Sequence, residues 1–237
     1  IVMQILIGMG AIVAGYLIGS IPFGMLIVKS RTGKDIRKVE SGRTGGTNAV
    51  RAAGFWAGLF TAILDIAKGA ASVWLAETLT PNDWVHILAP LAAIIGHNYS
   101  IFLITRENGK IRFHGGAGGA PALGGAIGLW PGIFPYVVVG GALVWATTGI
   151  ASLTTISIGL IIIVVFGINI SRGIQDPQDI WYGIIVELLI LWALRPNLKK
   201  LFAGQERVVK YSLNGWLKAR KAARAEAQKA PSDSKLH

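Results

Sequence analysis

The chain has 237 residues, of which 52% are apolar and only 15% charged, well short of the roughly 25% charge usual in soluble domains. A balance of 23 Lys and Arg against 12 Asp and Glu leaves a net charge of +11, and cysteine is absent. These figures exclude disulfide and thiolate chemistry and point to lipid as the solvent. They also make an anionic membrane surface a better partner for the basic excess than nucleic acid, for which no reading element or aromatic platform is present.

Residues 1–28 are almost wholly apolar, at least the roughly 20 residues needed to cross hydrocarbon. With no basic flank before it and no clear small-residue cleavage site, this stretch is expected to be a retained span and not a signal peptide. Gly15, Gly19, Ser20 and Gly24 allow close helix contact, and Pro22 predicts a kink near the cytoplasmic end. Lys29 and Arg31 then mark the inside.

The stretch GKDIRKVESGRTGGTNAVR (33–51) follows, between two apolar segments. Lys34, Arg37, Lys38, Arg43 and Arg51 supply positive charge, with Arg31 just upstream. Gly42, Gly45 and Gly46 let the backbone approach a ligand, while Ser41, Thr44, Thr47 and Asn48 add hydrogen-bonding groups. That combination suits a phosphate or another oxyanion, although an ordinary basic cytoplasmic loop shares part of the composition.

Residues 52–79 read as a second span that carries Asp65 and Lys68. Three positions apart on a helix, they share a face and can partner one another or a ligand, and charges inside a span mark a candidate site. A TPND turn (80–83) and the interfacial Trp84 lead into a third span over 85–104, ending GHNYSIFLIT. His97 and Asn98 sit before its basic exit at Arg106, Lys110 and Arg112. His97 is either a packing group or a chemical one, and its approach to a second glycine-rich segment keeps both readings open.

That segment, HGGAGGAPALGGAIG (114–128), has glycines at 115, 116, 118, 119, 124 and 125. Glycine at this density predicts either a nest of backbone N–H groups at a helix start, aimed at phosphate, or a tight small-residue helix interface. Apolar stretches 133–148, 153–170 and 180–194 bring the expected spans to seven. Glu187 lies in the last of them, where a buried acid is expected to have a partner or an elevated pKa. The chain divides into a membrane-embedded unit over 1–210 and a basic tail over 211–237, in which KARKAARAEAQKA reads as a surface-lying helix and PSDSKLH as a frayed end. Basic loops at 29–51 and 105–114 and a basic carboxyl end oppose acidic turns at 77–83 and 171–179. This asymmetry predicts an all-α bundle of about seven transmembrane helices with its N-terminus outside and C-terminus cytoplasmic. All the glycine-rich and basic motifs then share one face.

Several of these motifs, in the same order, resemble the bacterial acyl-phosphate:glycerol-3-phosphate acyltransferases, the integral membrane enzymes called PlsY. The likeness runs through GSIPFGMLI (19–27), the 33–51 stretch, LDIAKGA (64–70), GHNYSIFL (96–103) and RPNLKKLFAGQER (195–207). It implies transfer of a fatty acyl group from acyl phosphate to the 1-hydroxyl of sn-glycerol 3-phosphate, giving lysophosphatidate for phospholipid synthesis at the bacterial inner membrane. Expected partners are acyl phosphate, glycerol 3-phosphate and anionic membrane lipids, with a monomeric chain and no metal or other cofactor.

On the family pattern Ser41, Arg51, His97 and Asn98 form the catalytic set. Ser41 and Arg51 orient or anchor the substrates, His97 and Asn98 serve near the donor, and the base is either His97 or the substrate phosphate itself. Thr47 and Asn48 shape the first loop, and Gly115, Gly116, Gly118 and Gly119 form the second phosphate-binding loop. Asn197, Gly204 and Glu206 match a third motif, and Lys68 joins the substrate-binding residues. The sequence departs from the pattern at Glu40 and Arg43, where glycine and asparagine are usual, and at Ala117, where lysine is usual. Arg43, Lys110 or Arg112 is expected to restore the missing charge. An acyltransferase for another phosphorylated acceptor, or a non-catalytic lipid-binding or transport protein of the same fold, are the alternatives.

Overall fold

The computed structural model describes residues 1–209 and 212–229. The expected domain boundary at 210 and 211 and the PSDSKLH end lie outside them. Helices α1 (Val2–Ser20) and α2 (Phe23–Thr32) form one apolar run that breaks at Ile21 and Pro22. The expected kink is thus a full interruption, because Pro22 has no N–H to continue the ladder. Beyond a short 3₁₀ turn at Ile36–Lys38 come α3 (Gly46–Ala53), α4 (Phe55–Leu79) and α5 (Asp83–Asn98). A hairpin of β1 (Ser100–Glu107) and β2 (Lys110–His114) precedes α6 (Gly119–Leu129). Then follow α7 (Ile133–Thr148), α8 (Ala151–Ser171), α9 (Asp179–Ala193), α10 (Arg195–Phe202) and α11 (Leu213–Lys229).

Close helix contact depends on small residues, as the pattern in the first span predicts. Gly15 and Gly19 of α1 lie on Ala89 and Ala93 of α5, where any Cβ would overlap the facing carbonyl oxygens. Gly124 of α6 meets Ile66 of α4 in the same way, so the second glycine-rich segment serves packing in its later half. Ile94, Leu123, Ile162, Phe166, Tyr182 and Ile190 fill the centre between α5, α6, α8 and α9. The Tyr182 hydroxyl is satisfied there by donating to the Ala122 carbonyl at 2.8 Å. Outward, Leu6, Val13, Phe60, Trp74, Val139, Leu143, Val164 and Leu188 are exposed. That much uncovered apolar surface suits a protein solvated by lipid.

Three runs, Val2–Thr32, Phe55–Leu79 and Ala151–Ser171, are long and apolar enough to cross a membrane by themselves. The multi-span helical character holds, with two corrections to the expected elements. First, α5 stops at Asn98, and Ser100–Glu107 leaves the bundle as a strand instead of finishing a span over 85–104. Its partner β2 pairs antiparallel, with Arg106 opposite Ile111. Asn108 and Gly109 take φ of 50° and 75°, the two left-handed residues of a type I′ turn, for which Asn-Gly is the favoured dipeptide. Second, the segment 114–128, expected as either a short span or a re-entrant piece, is a loop followed by the 11-residue α6. Glu187 is buried against Gly159 of α8, and its Oε2 has no hydrogen-bond partner among the described residues.

Candidate active site

Two glycine-led helix starts face one another across a cleft of about 480 Å³. The first is α3, whose N-cap is Gly45, and the second is α6, whose N-cap Gly118 has φ 90°. Gly45, Gly46 and Thr47 line one side, and Gly118, Gly119 and Ala120 the other. The opening amides of a helix have no intrahelical acceptor and carry the positive end of the helix dipole. A cleft flanked by two such ends is therefore set for an anion.

Backbone hydrogen bonds weld the two loops together. Thr44 N–H donates to the Gly115 carbonyl at 3.1 Å, and Gly116 N–H donates to that of His97 at 2.9 Å. Only glycine fits at 116, because a Cβ there would overlap His97 Nε2. Asn48 is buried and its amide donates to the carbonyls of Ile36, Val39 and Arg43 at 3.2, 3.0 and 2.8 Å. It holds the first loop in shape from within. At the loop's start the Arg37 guanidinium clasps Asp35, with Nη2 2.7 Å from Oδ2, and keeps that carboxyl below its ordinary range.

Of the three cations expected to replace the family's lysine, Arg43 lines the cleft, whereas Lys110 and Arg112 are exposed on β2 outside it. Arg43 Nη1 donates to the Gly116 carbonyl at 3.1 Å, beside Ala117. Its Nη2 donates to the Ala193 carbonyl at 2.6 Å and to Asn197 Oδ1 at 3.2 Å. Asn197 Nδ2 in turn donates to Glu206 Oε1 at 2.9 Å, which fixes which way its amide faces. Burial pulls the Arg43 pKa below its ordinary value, but a guanidinium remains charged at neutral pH. Arg51 also lines the cleft, and no described residue gives it a hydrogen bond or an acid partner.

Ser41, Arg43, Thr47, Asn48, Arg51, His97, Gly118, Gly119, Asn197 and Glu206 all border this one space, as does Asp65. Gly115 and Gly116 form the strap behind it, while Asn98 lies beneath Gly118 with both amide atoms lacking a hydrogen-bond partner among the described residues. Gly204 stands outside the lining and ends α10 at φ 69°. Lys68 is also outside: its ammonium lies 2.9 Å from Asp65 Oδ1, 2.8 Å from His97 Nδ1 and 3.2 Å from the Ile21 carbonyl.

The cleft has contributors that motif reading passes over. Ser152, Thr154 and Thr155 bring hydroxyls from the start of α8, and Lys200 and Arg207 bring cations from α10 and beyond. Arg207 also pairs across the mouth with Glu40 at 2.9 Å. The α8 hydroxyls leave a faint trace in sequence as ASLTT opening an otherwise apolar run. Ala62, Ile66, Leu123, Ile158 and Leu194 add apolar side chains to the lining. A second cleft of about 570 Å³, between α1 and the turn before α5, has no charged side chain in its lining.

The glycerol-3-phosphate acyltransferase family pattern matches residues 9–204. A glycerol-3-phosphate acyltransferase of Rubrobacter xylanophilus is 34% identical over 83% of this chain and 92% of its own length. One from Thermus thermophilus is 35% identical over 81% of this chain and 90% of its own. Among solved structures, the glycerol 3-phosphate form of PlsY (YgiH), an integral membrane glycerol 3-phosphate acyltransferase, superposes with a TM-score of 0.73 at 28% identity. That match covers 85% of this chain and 95% of the other. Its lysophosphatidic acid form gives 0.71 at 26% identity, covering 86% and 96%. With the motifs, the helix order and the cleft in agreement, the chain belongs to the glycerol-3-phosphate acyltransferase family.

Proposed function

We propose that this chain transfers a fatty acyl group from acyl phosphate to the 1-hydroxyl of sn-glycerol 3-phosphate, forming lysophosphatidate. The observation that carries the reading is the cleft's mixed lining, which combines cations and two helix starts with a set of apolar side chains. An acyl phosphate has the matching combination. Its chain suits the wall of Ile66, Leu123 and Ile158, and its phosphate suits the amides at Gly118 and Gly119. In the reaction the bond from O1 of glycerol 3-phosphate to the acyl carbon forms, the bond from that carbon to the phosphate oxygen breaks, and the hydroxyl proton leaves with inorganic phosphate. Holding both anions in one cleft converts their encounter into a positioned attack, and donors around the acyl oxygen stabilise the charge that develops there.

In this reading Arg51 and Ser41 anchor the acceptor, Arg43 replaces the family's lysine beside Ala117, and Thr47 completes the first loop. Asn197 and Glu206 act by holding Arg43, and Asn48 by holding its loop. The short helices α5, α6, α7 and α9 complete a seven-span layout in the bacterial inner membrane, N-terminus outside. The cleft then faces the cytoplasm. Residues 1–210 form the enzyme and 211–237 a basic tail on anionic lipid.

The test is purified protein in liposomes supplied with palmitoyl phosphate and labelled glycerol 3-phosphate. Labelled lysophosphatidate is expected. Absence of product from folded protein, with a panel of other phosphorylated alcohols also silent, would overturn the reading. Product from another acceptor alone would reassign the substrate.

A further inference from the structure

His97, Lys68 and Asp65 are all at least nine-tenths buried, with exposures of 5%, 3% and 1%. Lys68 and Asp65 form an ion pair at 2.9 Å. A neutral lysine would leave the carboxylate without a countercharge in a low-dielectric interior, at a cost the fold does not otherwise offset. Lys68 is accordingly an ammonium, with three N–H donors and no lone pair. Its Nζ hydrogen-bonds the Ile21 carbonyl at 3.2 Å and His97 Nδ1 at 2.8 Å, with Asp65 Oδ1 beside it as the ion-pair partner. The Asp65 carboxylate is farther from His97 Nδ1, at 3.5 Å.

An ammonium cannot accept a proton, so His97 Nδ1 must present its lone pair. In a neutral imidazole the proton then resides on Nε2. Nε2 is the ring atom turned to Gly116, where the absent Cβ leaves room for it. No described residue hydrogen-bonds it, and His97 borders the cleft. We infer that Asp65 and Lys68 are positioning residues that hold His97 in the Nε2–H tautomer, so that His97 meets substrate as a hydrogen-bond donor and not as a base. Sequence reading places Lys68 among the substrate ligands and His97 among candidate bases; the geometry gives both a different task. The tautomer stands on this chain's own atoms, whereas the donor role rests on the acyl-transfer reading above.

The test is nitrogen NMR of ¹⁵N-histidine-labelled protein in lipid nanodiscs, with the His97 signals assigned by their loss in His97→Gln. The expected result at neutral pH is a bare Nδ1 and a protonated Nε2. A protonated Nδ1 in the unaltered protein would overturn the assignment; should His97→Gln not fold, the His97 signals are the ones that persist when His86, His114 and His237 are each replaced. Lys68→Met is expected to release Nδ1 and shift the ring proton from Nε2 to Nδ1, which faces Asp65; an unchanged tautomer in folded Lys68→Met would overturn the positioning role. For the donor role, His97→Gln keeps an N–H near the Nε2 position but takes no proton at neutral pH. It is expected to retain far more activity than His97→Ala, for which loss of one such donor corresponds to about 10²–10³ in kcat. Equal inactivity of the two folded variants would overturn the donor role. Inactive unaltered protein would sink the acyl-transfer reading while leaving the spectroscopic result to decide the tautomer.

Discussion

Arg43 joins three chain segments with one guanidinium: the Gly116 carbonyl of the second loop, the Ala193 carbonyl at the end of α9, and Asn197 of α10. A lysine is a point charge and cannot reproduce this fork. Hydrogen bonds involving charged groups contribute roughly 1.5–3 kcal/mol each, and about 1.4 kcal/mol is a tenfold change in an equilibrium constant. Arg43→Lys is therefore expected to raise the KM for glycerol 3-phosphate about tenfold or more, with a smaller change in kcat. Steady-state kinetics in liposomes check this, and an unaltered KM would remove Arg43 from the phosphate site. The residue's polar character and its loop were legible in sequence. Its partners were not, since Ala193 and Asn197 lie 150 and 154 positions away.

Among the elements, the α1 and α5 pair shows how a sequence pattern becomes a packing constraint. Gly15 and Gly19, one turn apart, put a smooth strip of α1 against Ala89 and Ala93. Van der Waals contact of this kind is the main attraction between helices once lipid removes the hydrophobic drive. Gly19→Leu would force α1 away from α5, and overpacking of this sort costs about 1–3 kcal/mol. A lower unfolding temperature in detergent is the expected outcome, while Gly10→Leu, at a site where a Cβ meets nothing, should leave it nearly unchanged. The hairpin teaches the opposite lesson. Its apolar residues, SIFLIT, continue the hydropathy of α5 and read as the end of a span, and the Asn108-Gly109 turn alone discloses the fold-back. Hydropathy measures composition, and a strand leaving a bundle can be as apolar as a helix inside one.

For the whole molecule, the tail extends past the family match that ends at residue 204. Leu213, Trp216 and Leu217 are exposed on α11, and Arg220 lies 5.2 Å over the Trp216 ring. Asn214 ties the helix to the end of α7 by donating to the Thr148 carbonyl at 3.1 Å. Removing residues 213–237 is expected to leave the KM for glycerol 3-phosphate unchanged. Turnover of the full chain is expected to rise in vesicles containing an acidic lipid and to fall again with salt, and the same deletion is expected to remove both effects.

The sequence by itself determined the membrane character, the small-residue helix contacts and the two glycine-rich loops, because composition, short spacing and backbone freedom are local properties. Only the tertiary structure decided that Arg43 crosses to Gly116, that α8 brings hydroxyls into the cleft, and that the Lys68 ammonium is enclosed by Asp65, His97 and the Ile21 carbonyl. Those facts depend on helices distant in sequence meeting at particular angles, and on counting donors against acceptors inside a buried space. Spacing along one helix predicted that Asp65 and Lys68 would meet. It could not supply His97, which reaches the pair from α5 and turns an ion pair into a device for orienting an imidazole.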